Sequence, residues 1–484
     1  MQRAIRNSAL VFIGALLFHL AGTWSLPLID RDEPRFAEAS REMRERSDYV
    51  VPFFNAQYRF DKPPLTYWAQ VASFHFLGEN DFAARLPTAI AAALTALVIL
   101  MWGRRIADER VGLWAAVIFT LCLQTFIHGK AAVADMWLVL FVTLAHWAGW
   151  ELQRERRAPN AERRTWISFL WWFNFYVALA LAFLAKGPIG WTPLLAVAGA
   201  WFCSGGRWPR LATAATAVAG IALILGIVAL WGIPALIRTN GEFFQVGIGK
   251  HVVARSFGAM EGHGANSAAA YIALLPFYFV TVFASFFPWS IKLPALTRRL
   301  WRNRDLTDTY LIVGALVIFV IFSVVKTKLI HYTLPAFPLL ALLMARHLAS
   351  CRFFQIASFA TATACLFVAW FVFPIVSREF PSAELFKMAG HDVPPEMEIG
   401  AVDYTEPSLV WYFRGRTHGW LTKLDPATVQ IFMQARGARC VVLSTSLAQK
   451  LYPELPPTWK RYTTSGINFV HGNRAQLTLL LKPS

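Results

Sequence analysis

Carboxylates are the scarce charged groups of this 484-residue chain, 29 Asp and Glu against 46 Lys and Arg, so their placement carries information. Asp135 sits in AAVADMWLVLFVTLAHW, at the edge of an apolar run that holds no other carboxylate. An acid at membrane depth costs about 3 kcal/mol unless it faces water or a positive partner. Asp32 lies in Asp30-Arg31-Asp32-Glu33-Pro34-Arg35-Phe36, within a loop, residues 26–80, that collects nine of the acids; nine more follow Ser377. The plain reading of Asp32 is a capping aspartate, since Pro34 and the spacing of Phe36, Ala39 and Met43 fit the start of a helix lying on a membrane. The chemical reading is a carboxylate that positions or deprotonates a nucleophile. Bases accompany both acids: Lys62 in FDKPPLTYW, Lys186 in LAKGPIGW, Lys250, His251 and Arg255 in GIGKHVVARSF, His263, and Lys326, Lys328 and His331 in VVKTKLIHYTLP. Such groups suit anionic lipid headgroups or, more sharply, a bound phosphate. Two acids and a basic cluster on one membrane face point to transfer from a lipid phosphate.

The elements that must position these groups are membrane spans. Hydrophobic residues make up 56% of the chain and charged residues 15%, which excludes a single soluble domain. Runs near twenty residues, each able to cross about 30 Å of hydrocarbon as a helix, recur through the first ~375 positions. The basic N-terminus and the run to about Leu26 read as an uncleaved first span. Others are expected near 82–101, 111–128, 133–150, 166–185, 188–203, 211–236, 270–291, 309–325, 333–349 and 354–376. The net charge of +17 falls mostly in short loops between spans, a topological pattern rather than a nucleic-acid surface. It places the N-terminus inside and everything after Ser377 outside, together with 26–80, 128–132, Lys186–Gly187, 237–267 and 326–331. Five scattered cysteines without a CxxC exclude a redox motif or zinc ribbon. From Ser377 the apolar runs shorten and alternating patterns at Ala438–Ser444 and Gln476–Leu481 predict strands, with helices after Pro407 and around Ser446–Leu451. The expected architecture is an α-helical polytopic membrane protein of about 11–13 spans, residues 1–376 including the loop 26–80, followed by a small α/β extracytoplasmic domain, residues 377–484.

The runs RDEPRFAEASREM, DYVVPFFNAQYRFDKPPLTYW, FAARLPTAI, VADMWL, LAKGPIGW, KHVVARSF with GHG, and KTKLIHYTLPAFPLL, in this order, resemble the aminoarabinose lipid A transferases and the wider protein O-mannosyltransferase-like group of GT-C membrane glycosyltransferases. YTEPSLVWYFRGR resembles the opening of that group's outer α/β domain. The resemblance implies a polyprenyl-phosphate sugar donor, undecaprenyl phosphate in bacteria, and an acceptor presented at the outer face of the inner membrane. It maps Asp32 and Asp135 onto the group's two aspartates, Lys62 onto its acid-Lys-Pro motif, His251 and Arg255 onto its Glu-His-x-x-Arg-like motif, and Lys186 and Tyr332 onto its Lys-Gly and Lys-x-x-x-Tyr elements. Asp61 replaces the usual Glu, Lys250 replaces the acid before the histidine, Met136 replaces a Pro, and the step from His251 to Arg255 is one residue longer.

With this resemblance, the residues are expected to serve an inverting glycosyltransferase, pentosyl or hexosyl, acting on lipid A or a related glycolipid of the lipopolysaccharide. Asp32 and Asp135 are the catalytic candidates; Lys62, Lys186, His251 and Arg255 hold the donor phosphate; Glu33, Arg35, Asp61, Lys326, Lys328 and Tyr332 complete the site. No metal or other cofactor is required, although Asp61 and His251 could share a divalent ion. An exported protein as acceptor, or a non-enzymatic flippase of polyprenyl-linked substrate, are the alternatives; the absence of two similar halves argues against transport.

Overall fold

The computed structural model describes residues 2–155, 165–203, 214–247, 249, 267–348 and 352–484. Its helices are named here as far as the site requires: α1 (Gln2–Leu20), α2 (Asp32–Arg46), α3 (Leu65–Leu77), α4 (Asp81–Ile106), α5 (Glu109–Thr120), α6 (Leu123–His128), α7 (Asp135–Glu155), α8 (Thr165–Lys186), α9 (Thr192–Cys203) and α10 (Ala214–Arg238). Among the described residues six helices are long and apolar enough to cross a bilayer: α1, α4, α8, α10 and those over Leu306–Val324 and Arg352–Glu379. The chain is a multi-pass membrane protein. Several expected spans are built from shorter pieces in series. Residues 111–128 divide into α5 and α6 at Leu121–Cys122, and the stretch near 270–291 contributes to the pair Phe277–Ser285 and Trp289–Arg302, bent by 119°. Pro288 stands in the bend, where a missing N–H and a fixed φ oppose a continuous helix.

The membrane core is packed with small side chains. Ala91, Ala92, Ala93 and Ala96 of α4 and Ala115 and Ala116 of α5 are buried against α1 and the Phe337–Leu348 helix, the composition that lets helix backbones approach where lipid is as apolar as the helices. Gly103 and Gly112 meet at the α4–α5 crossing, where a Cβ on Gly103 would lie 2.5 Å from Gly112 Cα.

One buried ion pair fastens the loop to the helices. Arg85 on α4 donates from Nε and Nη2 to Glu33 of α2 at 2.9 and 2.7 Å, from Nη1 to the carbonyls of Thr23 (3.0 Å) and Leu26, and from Nη2 to that of Pro27 (2.8 Å). Glu33 also accepts from the backbone of Ile29 at 2.7 Å and of Ala132 at 2.6 Å. The end of α1, the start of α2 and the turn before α7 thus meet at one carboxylate.

The C-terminal part carries a five-stranded sheet. After a two-residue hairpin in the first loop, β1 (Phe53–Phe54) and β2 (Gln57–Tyr58), come β3 (Glu398–Ala401), β4 (Thr422–Lys423), β5 (Arg439–Ser444), β6 (Lys460–Asn468) and β7 (Asn473–Lys482), in spatial order β4-β3-β5-β7-β6. β3 runs parallel to β4 and β5, while β7 pairs antiparallel with β5 and β6. The expected strands and both expected helices, Pro407–Arg414 and Thr445–Leu451, are present. This part grips the first loop. Arg414 pairs with Glu38 and, at 2.8 Å, with Glu45. Asn55 and Leu421 exchange hydrogen bonds at 2.9 and 3.0 Å, Trp411 and Tyr412 each donate to Asp81 at 2.8 Å, and Ser408 donates its N–H to Asp30 at 2.8 Å. α2 therefore does not lie flat on a membrane. It is wedged between α3 and the C-terminal part, with even Glu38, Arg41 and Glu42 buried.

Burial pushes the Asp30 carboxyl up to about 7, against the two hydrogen bonds from Ser408. The folded state holds this acid protonated where the unfolded chain ionises it, so its contribution to stability falls as pH rises between about 3.8 and 7. Asp30→Asn should match the wild type in thermal stability below about pH 3.8 and exceed it increasingly up to about pH 7, measured by unfolding in detergent; identical pH dependence in both proteins would exclude Asp30 as the titrating contact.

Candidate active site

A cavity of about 480 Å³ opens between the first loop, the turn after α6, the end of α8 and the segment after Val324. Of the residues singled out in the sequence it brings together Asp32, Glu33, Arg35, Asp61, Lys62, Asp135, Lys186 and Tyr332. His251 and Arg255 lie outside the described residues. Lys326 and Lys328 are not in the wall. Lys328 points back to the carbonyls of Phe322, Ser323 and Val325 at 2.9, 2.6 and 2.6 Å and so closes the C-terminus of the Leu306–Val324 helix, where four carbonyls lack helical partners and the dipole is negative.

The two aspartates have different surroundings. Asp135 is the first residue of α7, and its Oδ1 receives Lys186 Nζ, from the last residue of α8, at 2.5 Å. His331 Nε2 stands 3.8 Å from the same oxygen. The His331 ring lies 4.8 Å from that of His128, which ends α6 and meets Gln124 Nε2 through Nδ1 at 2.9 Å. Asp32 accepts no hydrogen bond and joins no ion pair among the described residues. The capping role open to it is not taken up, because Arg31 occupies the cap and no side chain bonds the free N–H groups of α2. Glu33, although in the wall, is consumed by Arg85, Ile29 and Ala132 and serves as a fastener.

The basic groups cluster on the loop side. Arg59 donates to Tyr67 at 3.0 Å and pairs with Asp61 at 3.1 Å, which orients the residue before Lys62. Burial, then Arg59 and Arg31, push Arg35 below an arginine's ordinary range: crowded cations of this kind are relieved by an anion. With Glu33 neutralised by Arg85 and Asp30 held toward its protonated form, Asp32, Asp61 and Asp135 face Arg31, Arg35, Arg59, Lys62 and Lys186 in the wall. The balance favours a ligand of about two negative charges.

His128, Asp135 and His331 could also hold a metal ion, since their ligand atoms all lie within 4.8 Å of one another. Two imidazoles and a carboxylate suit a borderline divalent ion. The Lys186 ammonium, however, lies 2.5 Å from Asp135 Oδ1 and already supplies positive charge at this carboxylate. Arg59, His128 and the rim residues Phe469 and Val470, from the β6–β7 turn, were not evident as site residues in the sequence. His128 had a signal, a histidine in a short turn seven residues before Asp135. Phe469 and Val470 had none.

Residues 8–249 match the family model for the dolichyl-phosphate-mannose-protein mannosyltransferases. The chain belongs to this family. Among curated relatives it is 33% identical over 332 residues to the undecaprenyl phosphate-alpha-4-amino-4-deoxy-L-arabinose arabinosyl transferase 2 of Sodalis glossinidius, 66% of this chain and 56% of that protein. It is 30% identical over 346 residues to the corresponding transferase of Erwinia tasmaniensis, 69% and 59% of the two lengths. The match thus spans less than two thirds of these relatives. As a fold, this family member resembles ArnT from Cupriavidus metallidurans bound to undecaprenyl phosphate, with a TM-score of 0.76 at 18% identity over 97% of each chain. The archaeal oligosaccharyltransferase AglB from Archaeoglobus fulgidus follows at 0.52 and 12%, over 97% of this chain and 74% of that one.

The pairing of Asp135 changes what its removal should do. From sequence two outcomes are open for Asp135→Asn, equal or higher stability for a carboxylate that faces a cavity alone and a loss for one paired with a base; the pair with Lys186 selects the second, since its removal leaves a buried ammonium alone. Asp135→Asn should cost roughly 3–5 kcal/mol, as for other broken buried pairs, and Asp135→Asn with Lys186→Met should recover most of that stability without recovering turnover. Thermal unfolding of the two variants decides the point: an unchanged single variant removes the pair as a structural contact.

Proposed function

We propose that the protein is an inverting glycosyltransferase that moves a sugar from a polyprenyl-phosphate carrier to a glycolipid acceptor, lipid A or a relative of it. The observation that carries the reading is the contrast within one cavity: Asp32, a carboxylate with no hydrogen bond or close ion pair among the described residues, faces a wall richer in cations than in acids. The names of the aminoarabinose transferases support undecaprenyl phosphate as the carrier. The family's own description carries a protein acceptor, which is the second reading.

In the proposed step the acceptor oxygen attacks the anomeric carbon and forms the new C–O bond while the bond from that carbon to the carrier's phosphate oxygen breaks. The electron pair leaves with the phosphate. Lys62, Arg35 and Tyr332 hold it on this chain's described side, with His251 and Arg255 assigned the same task by resemblance; charge that grows on the leaving group is where fixed cations stabilise a transition state most. A hydroxyl acceptor gives its proton to Asp32. A phosphate acceptor arrives ionised, and Asp32 then positions it. Asp135, held by Lys186, places its second oxygen toward the sugar and the developing positive charge at the anomeric carbon.

The same assignment orients the protein, with the N-terminus cytoplasmic and the loop 26–80, the cavity and the C-terminal part periplasmic, in an inner membrane. Asp61 and the His128–His331 pair serve as neighbours that set geometry and charge, with no metal in the step.

Because Asp32 makes no hydrogen bond or close ion pair among the described residues and meets Arg35 and Arg59 only through their charge, Asp32→Asn should change thermal stability little and lower transfer of 4-amino-4-deoxy-L-arabinose from undecaprenyl phosphate to lipid A by about 10²-fold or more, the contribution of a positioned acid–base group. Lys62→Ala should raise the donor KM about tenfold or more, as loss of a charge-assisted phosphate contact does. Turnover at the wild-type level in Asp32→Asn would overturn the catalytic assignment. Transfer to exported protein but not to lipid A, followed by mass spectrometry, would establish the second reading.

A further inference from the structure

The Leu293–Arg302 helix keeps its apolar and its charged residues on different sides. Leu296 and Leu300 are buried on one side. Pro294, Thr297, Arg298, Trp301 and Arg302, spaced i, i+3, i+4, i+7, i+8, share the other and line a shallow cleft of about 470 Å³, as residues at this spacing form one stripe along a helix. Trp301 is 83% exposed, and among the described residues no other element joins the wall of the cleft.

The stripe lies at the membrane face away from the candidate active site. The Leu306–Val324 helix has 19 residues and so a length of about 28 Å. It ends a few residues before Leu329 and His331 of the cavity wall and begins at the far face, where Asp305 and Asp308 receive Arg346 Nη1 at 2.8 and 2.5 Å. Arg299 Nη1 donates to the carbonyl of the neighbouring His347 at 2.5 Å, which ties the Leu293–Arg302 helix to that same face. The bend of 119° after Ser285 keeps this helix from continuing the crossing begun by Phe277–Ser285.

Of the bases from Lys292 to Arg304, two are spent within the fold: Lys292 on the ring of Phe353, at 4.9 Å, and Arg299 on the His347 carbonyl. Arg298, Arg302 and Arg304 form no ion pair and no side-chain hydrogen bond among the described residues. The acids nearest in sequence, Asp305 and Asp308, are taken by Arg346 and His347. Topological bias accounts for bases on one membrane face. It does not account for two of them one helical turn apart, beside an exposed tryptophan and with no acid on their stripe.

We propose that this stripe binds an anionic phospholipid of the adjoining leaflet, its phosphate held between Arg298 and Arg302 and the Trp301 ring set at the level of the glycerol. Residues at i and i+4 stand roughly 6 Å apart at Cβ, so two guanidinium forks converge on one phosphate, and a guanidinium meets phosphate oxygens in pairs. The indole selects a lipid over a soluble acidic partner, because an apolar ring with a single N–H settles at the boundary of headgroup and acyl chain. Arg304, just beyond the helix, adds charge that draws anionic lipid to the same place. Nothing in the assignment depends on which sugar or acceptor the protein uses.

The test places a photo-crosslinking amino acid at position 297, in the cleft, where the Thr297 hydroxyl bonds only the Leu293 carbonyl of its own helix. The full-length protein in non-ionic detergent is titrated with phosphatidylglycerol and, separately, with phosphatidylcholine, and captured lipid is identified by mass spectrometry. Half-maximal capture should need about tenfold less phosphatidylglycerol than phosphatidylcholine. Arg298→Gln with Arg302→Gln should raise the phosphatidylglycerol requirement about tenfold, and Arg298→Lys with Arg302→Lys about threefold, since an ammonium keeps the charge and loses the fork. Arg110→Gln, which removes another exposed arginine at the start of α5, should leave it within twofold. Arg298 and Arg302 hold nothing in the fold, so thermal unfolding of all these variants should match the wild type. Equal capture of the two lipids, wild-type capture in the Gln pair or in the Lys pair, or the same loss in Arg110→Gln as in the Gln pair would overturn the site and return these arginines to diffuse topological charge.

Discussion

Five hydrogen bonds from one guanidinium hold the walls of the candidate site in register. All five N–H groups of Arg85 are used, on Glu33 and on the three carbonyls that follow α1. A planar fork with fixed donor directions can satisfy several acceptors at once, and here the acceptors belong to segments with no covalent reason to meet. Glu33 extends the junction to Ala132. Asp32 stands next to Glu33, and Asp135 stands three residues after Ala132, so both aspartates are placed by the same carboxylate. The cost of burying that pair is recovered only because every lone pair and proton has a partner.

The C-terminal part acts on the same loop from the other side. Arg414 on Glu38, Ser408 on Asp30 and Leu421 on Asn55 press α2 and β1–β2 toward α3 and α4. A helix so charged that its mean character is polar is thereby buried almost throughout, each buried carboxylate meeting a guanidinium. The first loop is thus a middle layer, and its geometry depends on two surfaces separated by more than 300 residues of chain.

That separation explains what was legible in the sequence. Charges in apolar surroundings are visible in one dimension, and Asp32, Lys62, Asp135 and Lys186 stood out on that ground and share a cavity. The spans and the strands at Ala438–Ser444 and Gln476–Leu481 were legible for a similar reason, since periodicity is local. Partners were not. Glu33 looked like a site residue because Arg85, 52 residues away, carries no mark of pointing at it. Lys328 looked like a phosphate ligand because a base beyond a helix end reads the same whether it turns outward or back onto the carbonyls. The amphipathic pattern of α2 was read as a membrane surface, since the Pro407–Arg414 helix that covers it is invisible at that distance. The broken helices at 111–128 and 270–291 kept the hydrophobicity of single spans and hid their bends.

The β6–β7 turn has a wider consequence. Asn468 and Asn473 close it, Gly472 turns it at φ 69°, and Phe469 and Val470 at its tip complete a cavity whose aspartates and bases are all supplied by distant segments. A hairpin is anchored by its ladder, not by its tip, so the tip tolerates exchange and lengthening that the helices bearing the acids do not. The charged floor of the cavity and its rim therefore come from separable pieces of the chain. Substitutions in this one turn can reshape the rim while the segments that carry the aspartates and bases stay as they are.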